Sequence, residues 1–489
     1  MRKKILKSLL SVTVGFGLLV GGAASSLAVE PQVTEAAEKN LYVVAFKNNL
    51  PKNYQEVIEK AGGKVVKALP EVGGIQAQSD DPAFLKNLKK VSSIEVANKE
   101  IPLALSQPAT VPNVADTSAV TNEEGSLWDA QWDIQRVTND GKSYEIETGG
   151  YENEAGEKVH KAVVGVIDTG IDSTHPDLQQ NDLGGRNLVP AGMDETETGD
   201  PNDIMDRNGH GTHVAGIVAA NGKVKGVGPD LGIRTYRVFY SDLALTLPSF
   251  IIDGIIAATN DEVDVINMSL RLYNPMKTII EGETYKGTAD TLLWKRAIQY
   301  AVKNDVTVVA ASGNESLNLD DKKEVTEYLN ALYEPFGISI KGPTTVVPSQ
   351  LPGVINVSAS NKWSTEELAF FSNYGNSAID VAAPGGDLGA RYAETLDPET
   401  ADVTSLILST WPTYLVEGMP YSFNAGTSMA APQVAGIAGV LKAANPHLKP
   451  SQVSAIINQT AIDYGEPGQD ALFGSGEANA YRALMNIKK

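Results

Sequence analysis

Val163-Val164-Gly165-Val166-Ile167-Asp168-Thr169-Gly170-Ile171-Asp172 is the stretch that decides the fold. Its first five residues are apolar or glycine, with no polar break, which is the pattern of a strand buried on both faces. An aspartate ends the run and Thr169-Gly170 turns the chain. The carboxylate is thereby set at the carboxyl edge of a strand, where open α/β sheets build their sites. Read alone, Asp168 serves equally well as a cap for the turn. Comparable runs recur at 233–239, 263–270, 306–311 and 354–358, separated by helical segments. The alternation predicts one α/β domain with a parallel sheet over 128–489.

Three further motifs follow in order. His210-Gly211-Thr212-His213-Val214-Ala215-Gly216 opens a helix expected near 212–220. Ala311-Ser312-Gly313-Asn314 closes a strand, and Gly426-Thr427-Ser428-Met429-Ala430-Ala431-Pro432 enters an apolar helix. A serine hydroxyl needs a base to take its proton, and the base needs an orienting group. The Ser428 N–H at a helix N-terminus and the Asn314 side-chain amide are donors suited to an oxyanion. Asp168, His210, Asn314 and Ser428 together supply acid, base, amide donor and nucleophile for acyl transfer. His210 and His213 also invite a metal reading. The H-E-x-x-H pattern is absent, however, and the chain has five histidines and no cysteine. No metal is expected, and His213 is expected to pack or hydrogen-bond structurally.

From Gln131-Trp132-Asp133-Ile134 to Gly474-Ser475-Gly476-Glu477-Ala478-Asn479-Ala480 the chain resembles the subtilisin-like serine peptidases. The resemblance implies a three-layer α/β domain in which Asp168, His210 and Ser428 form the catalytic triad. Asn314 and the Ser428 N–H would line the oxyanion hole. A peptide or protein substrate would lie as an added β-strand, with Ser269, Leu270, Arg271 and Gly313 as binding residues. The opposite edge falls on Asp242-Leu243-Ala244-Leu245. Subtilisins often carry glycines where Arg271-Leu272 stand here. Arginines are mostly exposed, so Arg271 is expected to face solvent; turned into the cleft, it would favour an acidic substrate residue. The segment Ser126-Leu127-Trp128-Asp129-Ala130-Gln131-Trp132-Asp133-Ile134 and the acidic insert after Asn314 are similar to lantibiotic leader peptidases. That insert, 315–343, is expected to reshape the cleft mouth, and a second insert spans 386–405. Asp177 matches a calcium ligand of the family. The loop Ala220-Asn221-Gly222-Lys223-Val224-Lys225-Gly226 is short and carries two lysines, so no cofactor is expected and the calcium site is expected to be empty.

The N-terminal part completes the plan. Arg2, Lys3, Lys4 and Lys7, the apolar run 9–20 and Ser26-Leu27-Ala28 make a secretory signal over 1–28. Strands at 41–46, 65–69, 74–78 and 94–97, with helices at 53–61 and 83–90, give the ferredoxin-like β-α-β-β-α-β order of a small α+β domain with a core over 41–100. By the same resemblance, 29–105 is an inhibitory propeptide that chaperones folding and then blocks the cleft. Residues 106–127 read as a linker. Self-cleavage is expected after Leu105, with Glu100 as the rival position. The formal net charge of −20 argues against a nucleic-acid partner. With no later apolar span, the mature form is expected to be secreted and free of the membrane. Two other readings stay open: a general extracellular degradative protease, and a non-catalytic binding or chaperone protein, which would require a missing triad member.

Overall fold

The computed structural model describes residues 40–105, 109–110, 125–241, 244–280, 282–334, 337–416 and 418–488. The expected signal 1–28, the start of the expected propeptide and most of the expected linker lie outside the described residues.

Seven parallel strands form the central sheet, in the spatial order Asp182–Asn187, Gly232–Arg237, Val163–Asp168, Val265–Met268, Thr307–Ala311, Val354–Ser360, Val381–Pro384. The apolar runs are continuous because both faces of the sheet are covered. Val164, Val166, Val265, Val309 and Val357 pack on the helices His210–Ala219 and Thr427–Ala444. Their neighbours Ile167, Ile266, Met268, Val308 and Ala310 pack on the helices Pro248–Asn260 and Thr288–Lys303. Successive side chains of a strand point to opposite faces, so each run feeds two cores at once. The two outer strands escaped the sequence pattern. Asp182–Asn187 is polar and glycine-rich, and Val381–Pro384 is four residues ending in proline, which a sheet edge tolerates.

The N-terminal unit is a four-stranded antiparallel sheet in the order Lys64–Leu69, Gly74–Gln78, Leu41–Phe46, Ile94–Lys99, with the helices Tyr54–Ala61 and Phe84–Leu88 on one face. This is the expected ferredoxin-like order. Val44 and Phe46 fill its own core, whereas Leu41, Val43 and Ala45 join the core shared with Ile252, Ile256, Leu293 and Trp294 of the large domain. The open face of the small sheet is thus sealed by two helices of the large one.

The insert after Asn314 builds a satellite. Strand Ile338–Val347 pairs with Leu272–Ile280, helix Lys322–Tyr333 lies on the pair, and Leu319, Val325, Leu329 and Val346 form a separate core. Asp321 caps that helix by accepting from Lys323 N–H and Glu324 N–H. No helix among the described residues is long and apolar enough to cross a membrane.

Candidate active site

Asp168 is the last residue of its strand and has no exposure to solvent. Its Oδ1 accepts from Thr169 N–H at 2.8 Å and from His210 Nδ1 at 2.7 Å. A carboxylate only accepts, so Nδ1 carries the proton and Nε2 is left as the basic nitrogen. That Nε2 is buried and makes no hydrogen bond among the described residues. Burial opposes charging of the imidazole. The Asp168 charge and hydrogen bond, with Asp206 beyond them, outweigh it and raise the His210 pKa above its ordinary value.

His210 is held in place by its flanks. Gly209, at φ +100°, enters the helix where any Cβ would stand 2.3 Å from the Trp411 ring. Asp206, buried, accepts from Gly209 N–H, Thr169 Oγ1, Thr212 N–H and Thr212 Oγ1 at 2.7–2.9 Å. It caps the His210 helix and ties that helix to the turn after Asp168. Nothing in the pattern around Asp206 announced this. His213 behaves as a structural group: Nε2 lies against the carbonyls of Ser422 and Ile407 at 3.0 and 3.2 Å, and burial pushes its pKa down to about 3.

Ser428 is the second residue of the helix Thr427–Ala444. Its hydroxyl donates to the Ser269 carbonyl at 3.1 Å, and the Ser269 hydroxyl donates to the Ser428 carbonyl at 2.7 Å. In this state the nucleophile candidate faces Ser269 rather than His210 Nε2. Asn314 is anchored by its oxygen: Oδ1 accepts from Thr427 N–H and Thr427 Oγ1, both at 2.9 Å, and Gly313 N–H donates to Thr427 Oγ1 at 3.0 Å. With Oδ1 committed, the Nδ2 group is the donor left to the cleft. Thr427 therefore aligns the amide with the helix N-terminus, a role the sequence reading missed.

Arg271 overturns the expectation of a solvent-facing side chain. It is only 13% exposed and is paired with Glu315, through Nε at 3.0 Å and through a terminal nitrogen. Glu315 Oε2 also accepts from Tyr273 OH at 2.6 Å, Asn373 Nδ2 at 2.9 Å and Asn314 N–H at 3.1 Å. The Arg271 guanidinium stacks over the Tyr273 ring at 4.7 Å. A buried carboxylate gathers its donors, and this one draws Arg271 inward. Ser269 and Leu270 are buried beside it.

The far edge is occupied. Leu103–Ala104 pairs antiparallel with Leu245–Thr246, and Leu105 N–H donates to the Ala244 carbonyl at 2.9 Å. Asp242 and Leu243 lie outside the described residues. Within the expected linker, Ala109–Thr110 pairs antiparallel with Asn424–Ala425, three residues before Ser428. Glu100 is buried between the domains. It accepts from Gln76 Nε2 at 2.8 Å, Ser249 N–H at 2.9 Å and Ser249 Oγ at 3.0 Å, and so caps the helix Pro248–Asn260.

A calcium ion would need several free oxygens around Asp177. Asp177 Oδ2 already accepts from Val224 N–H and Tyr421 OH, both at 3.0 Å. Lys225 Nζ sits on Asn221 Oδ1 at 2.5 Å, while both ends of the Gln131 amide bond the Lys225 backbone at 2.8 Å. Committed oxygens beside an ammonium group do not fit a divalent cation.

A family model described as Peptidase_S8, Subtilase family, matches residues 160–476. The chain belongs to the subtilase family. Among curated proteins, this subtilase is 33% identical over 376 residues to the nisin leader peptide-processing serine protease NisP of Lactococcus lactis subsp. lactis, covering 75% of the chain and 51% of that protein. The match therefore spans about half the length of that relative. It is 30% identical over 463 residues to the epidermin leader peptide-processing serine protease EpiP of Staphylococcus epidermidis, covering 91% and 93%. A solved structure of EpiP from Staphylococcus aureus superposes with a TM-score of 0.73 at 27% identity, covering 93% of this chain and 99% of that one. The subtilase is thus a serine protease, with the three-layer fold expected from the sequence.

Proposed function

We propose that this subtilase is an endopeptidase made as a secreted zymogen, which cuts its own chain near Leu105 and then removes the leader from a lantibiotic-type precursor. Ser428 is the nucleophile, His210 the base and Asp168 the group that orients it. The Asn314 Nδ2 and Ser428 N–H are the oxyanion donors. For the chemistry the Ser428 hydroxyl turns from the Ser269 carbonyl to His210 Nε2. The proton passes to that nitrogen as the oxygen adds to the scissile carbonyl, and it is returned to the leaving amine.

The observation that carries the zymogen reading is the seating of the chain's own segment. Leu103–Ala104 is an added strand on Leu245–Thr246, and Ala109–Thr110 is one on the strand leading into Ser428. Leu105 and Ala109, four positions apart, are thus bound on the two sides of the reacting groups, as a substrate would be. What supports a cut just beyond Leu105 over one after Glu100 is the use of the Glu100 carboxylate as a buried helix cap. The leader-peptidase reading rests on the likeness to NisP and EpiP, whose names state that activity. The committed oxygens around Asp177 support an enzyme that works without calcium.

N-terminal sequencing of the secreted enzyme tests the first part: a new terminus within 107–109 is expected, and Ser428→Ala should remain uncut. A terminus after Glu100, or processing that survives Ser428→Ala with no other protease present, overturns it. For the second part, the active enzyme is given a modified lanthipeptide precursor beside denatured casein. One cut at the leader junction with casein spared is expected; broad casein digestion favours a degradative protease.

A further inference from the structure

The strand bound at Leu245–Thr246 sets the direction in which any substrate approaches Ser428. Leu105 is buried in the cluster that includes Tyr240, Ala244 and Leu247. In a substrate extended along the same edge, the next side chain points the opposite way. That next residue, one position beyond the cut after Leu105 expected from the sequence, supplies the acyl group, with its carbonyl oxygen against Asn314 Nδ2 and the Ser428 N–H. Its side chain must then enter the gap between the two segments leading out from those groups, Ser269-Leu270-Arg271 and Gly313-Asn314-Glu315.

In this chain the gap is filled. Arg271 crosses it and meets Glu315, whose side chain is 6% exposed. Gly313, at φ +110°, lines the same gap. A methyl group there would stand 2.4 Å from Asn373 Nδ2 and 2.9 Å from both Arg271 Nε and Glu315 Oε2. The pair is neutral overall, and Glu315 already holds Tyr273 OH, Asn373 Nδ2 and Asn314 N–H. A cationic substrate side chain would have to displace Arg271, and an anionic one would have to displace Glu315. Either exchange strands a buried ion without its partner. A large apolar side chain would have to expel the guanidinium from its place over the Tyr273 ring.

We infer that the Arg271–Glu315 pair closes the pocket for the acyl-side residue, so that this subtilase cuts after small, uncharged residues and rejects large or charged ones. The inference rests on the assignment of Ser428 as nucleophile. A fluorophosphonate probe, which reports on Ser428 regardless of peptide sequence, keeps the two separable.

The test uses the activated full chain and the fluorogenic series Leu-Ala-Leu-X, with X as Ala, Ser, Phe, Arg or Glu. The expected kcat/KM for Ala and Ser is at least about tenfold above the other three, within the range that one pocket contact commands. In Arg271→Gly the ratio of Phe to Ala should rise by about tenfold or more. A wild-type preference for Phe, Arg or Glu overturns the inference, as does an Arg271→Gly enzyme that still labels yet keeps the wild-type ratio. Should Arg271→Gly fail to fold, the wild-type profile alone decides. Loss of probe labelling in the wild type would instead refute the nucleophile assignment.

Discussion

Replacing Glu100 by alanine should loosen the grip of the N-terminal domain on the cleft by an amount that its contacts allow to be worked out. The Glu100 carboxylate accepts three hydrogen bonds across the domain boundary, from Gln76 Nε2, Ser249 N–H and Ser249 Oγ. When the carboxylate is removed, Gln76 Nε2 keeps the Ser249 hydroxyl at 2.8 Å. Ser249 N–H loses its acceptor in the first turn of the helix Pro248–Asn260. One buried unpaired N–H costs about 1–3 kcal/mol, and loss of an anionic helix cap adds up to about 1 kcal/mol. Burial raises the Glu100 pKa despite its hydrogen bonds, so relief of desolvation returns part of this. A net loss of about 2–3 kcal/mol corresponds to about 30–150-fold weaker binding of the cleaved domain. The assay follows the lag before a fluorogenic peptide is hydrolysed after the processed complex is diluted. Glu100→Ala should shorten the lag in proportion, and Glu100→Gln, which keeps an acceptor for Ser249 N–H, should restore most of it. A lag unchanged within about twofold, or a Glu100→Gln enzyme as defective as Glu100→Ala, would refute the reasoning.

Asp168→Asn should lower kcat by about 10⁴ through the wrong imidazole tautomer, with an unchanged thermal midpoint; a loss below about tenfold would remove Asp168 from the triad. Because the His210 pKa is raised, kcat/KM should fall as the pH drops through a value above that of an ordinary histidine, and a transition below it would contradict the Asp168 contact. Burial first, and then the Glu100 charge, push the Asp290 carboxyl up to about 8 while Asn98 holds its Oδ2 at 2.9 Å. Protonation therefore favours the closed complex: affinity should fall with rising pH, by at most about tenfold per unit, from the ordinary carboxylate range to about 8 and then level off. Asp290→Asn should flatten that dependence, and an unaltered slope would refute it. With its oxygens around Asp177 already committed, uncut Ser428→Ala protein should show the same thermal midpoint in a chelator and in millimolar calcium; a rise of several degrees with calcium would overturn the calcium-free reading.

Much of this protein was legible because its signals are local. The run Val163 to Asp168 announces a strand covered on both faces, and the turn after it puts a carboxylate at the sheet edge. The period of the N-terminal segments gave the split β-α-β-β-α-β order, and Gly426-Thr427-Ser428 before an apolar run placed the serine at a helix start. Strands without such a run, such as Asp182–Asn187, were invisible, since a sheet edge accepts polar residues that a loop accepts equally well.

Other features depended on which distant groups share a buried space. Arg271 and Glu315 stand 44 positions apart, and nothing in the period of either segment records that the fold removes both from water. Once Glu315 is buried beside Asn314, its charge demands donors, and Arg271 and Tyr273 from one segment and Asn373 from another converge on it. Asp206 under His210 and Lys225 beside Asn221 are decided in the same way. The sequence alone determined the candidate reacting groups and their order, because each sits in a short motif whose backbone requirements are met by its immediate neighbours. The tertiary structure decided the shape and charge of the pocket beside them, because burial, and with it the cost of an unpaired charge, is a property of the packed chain.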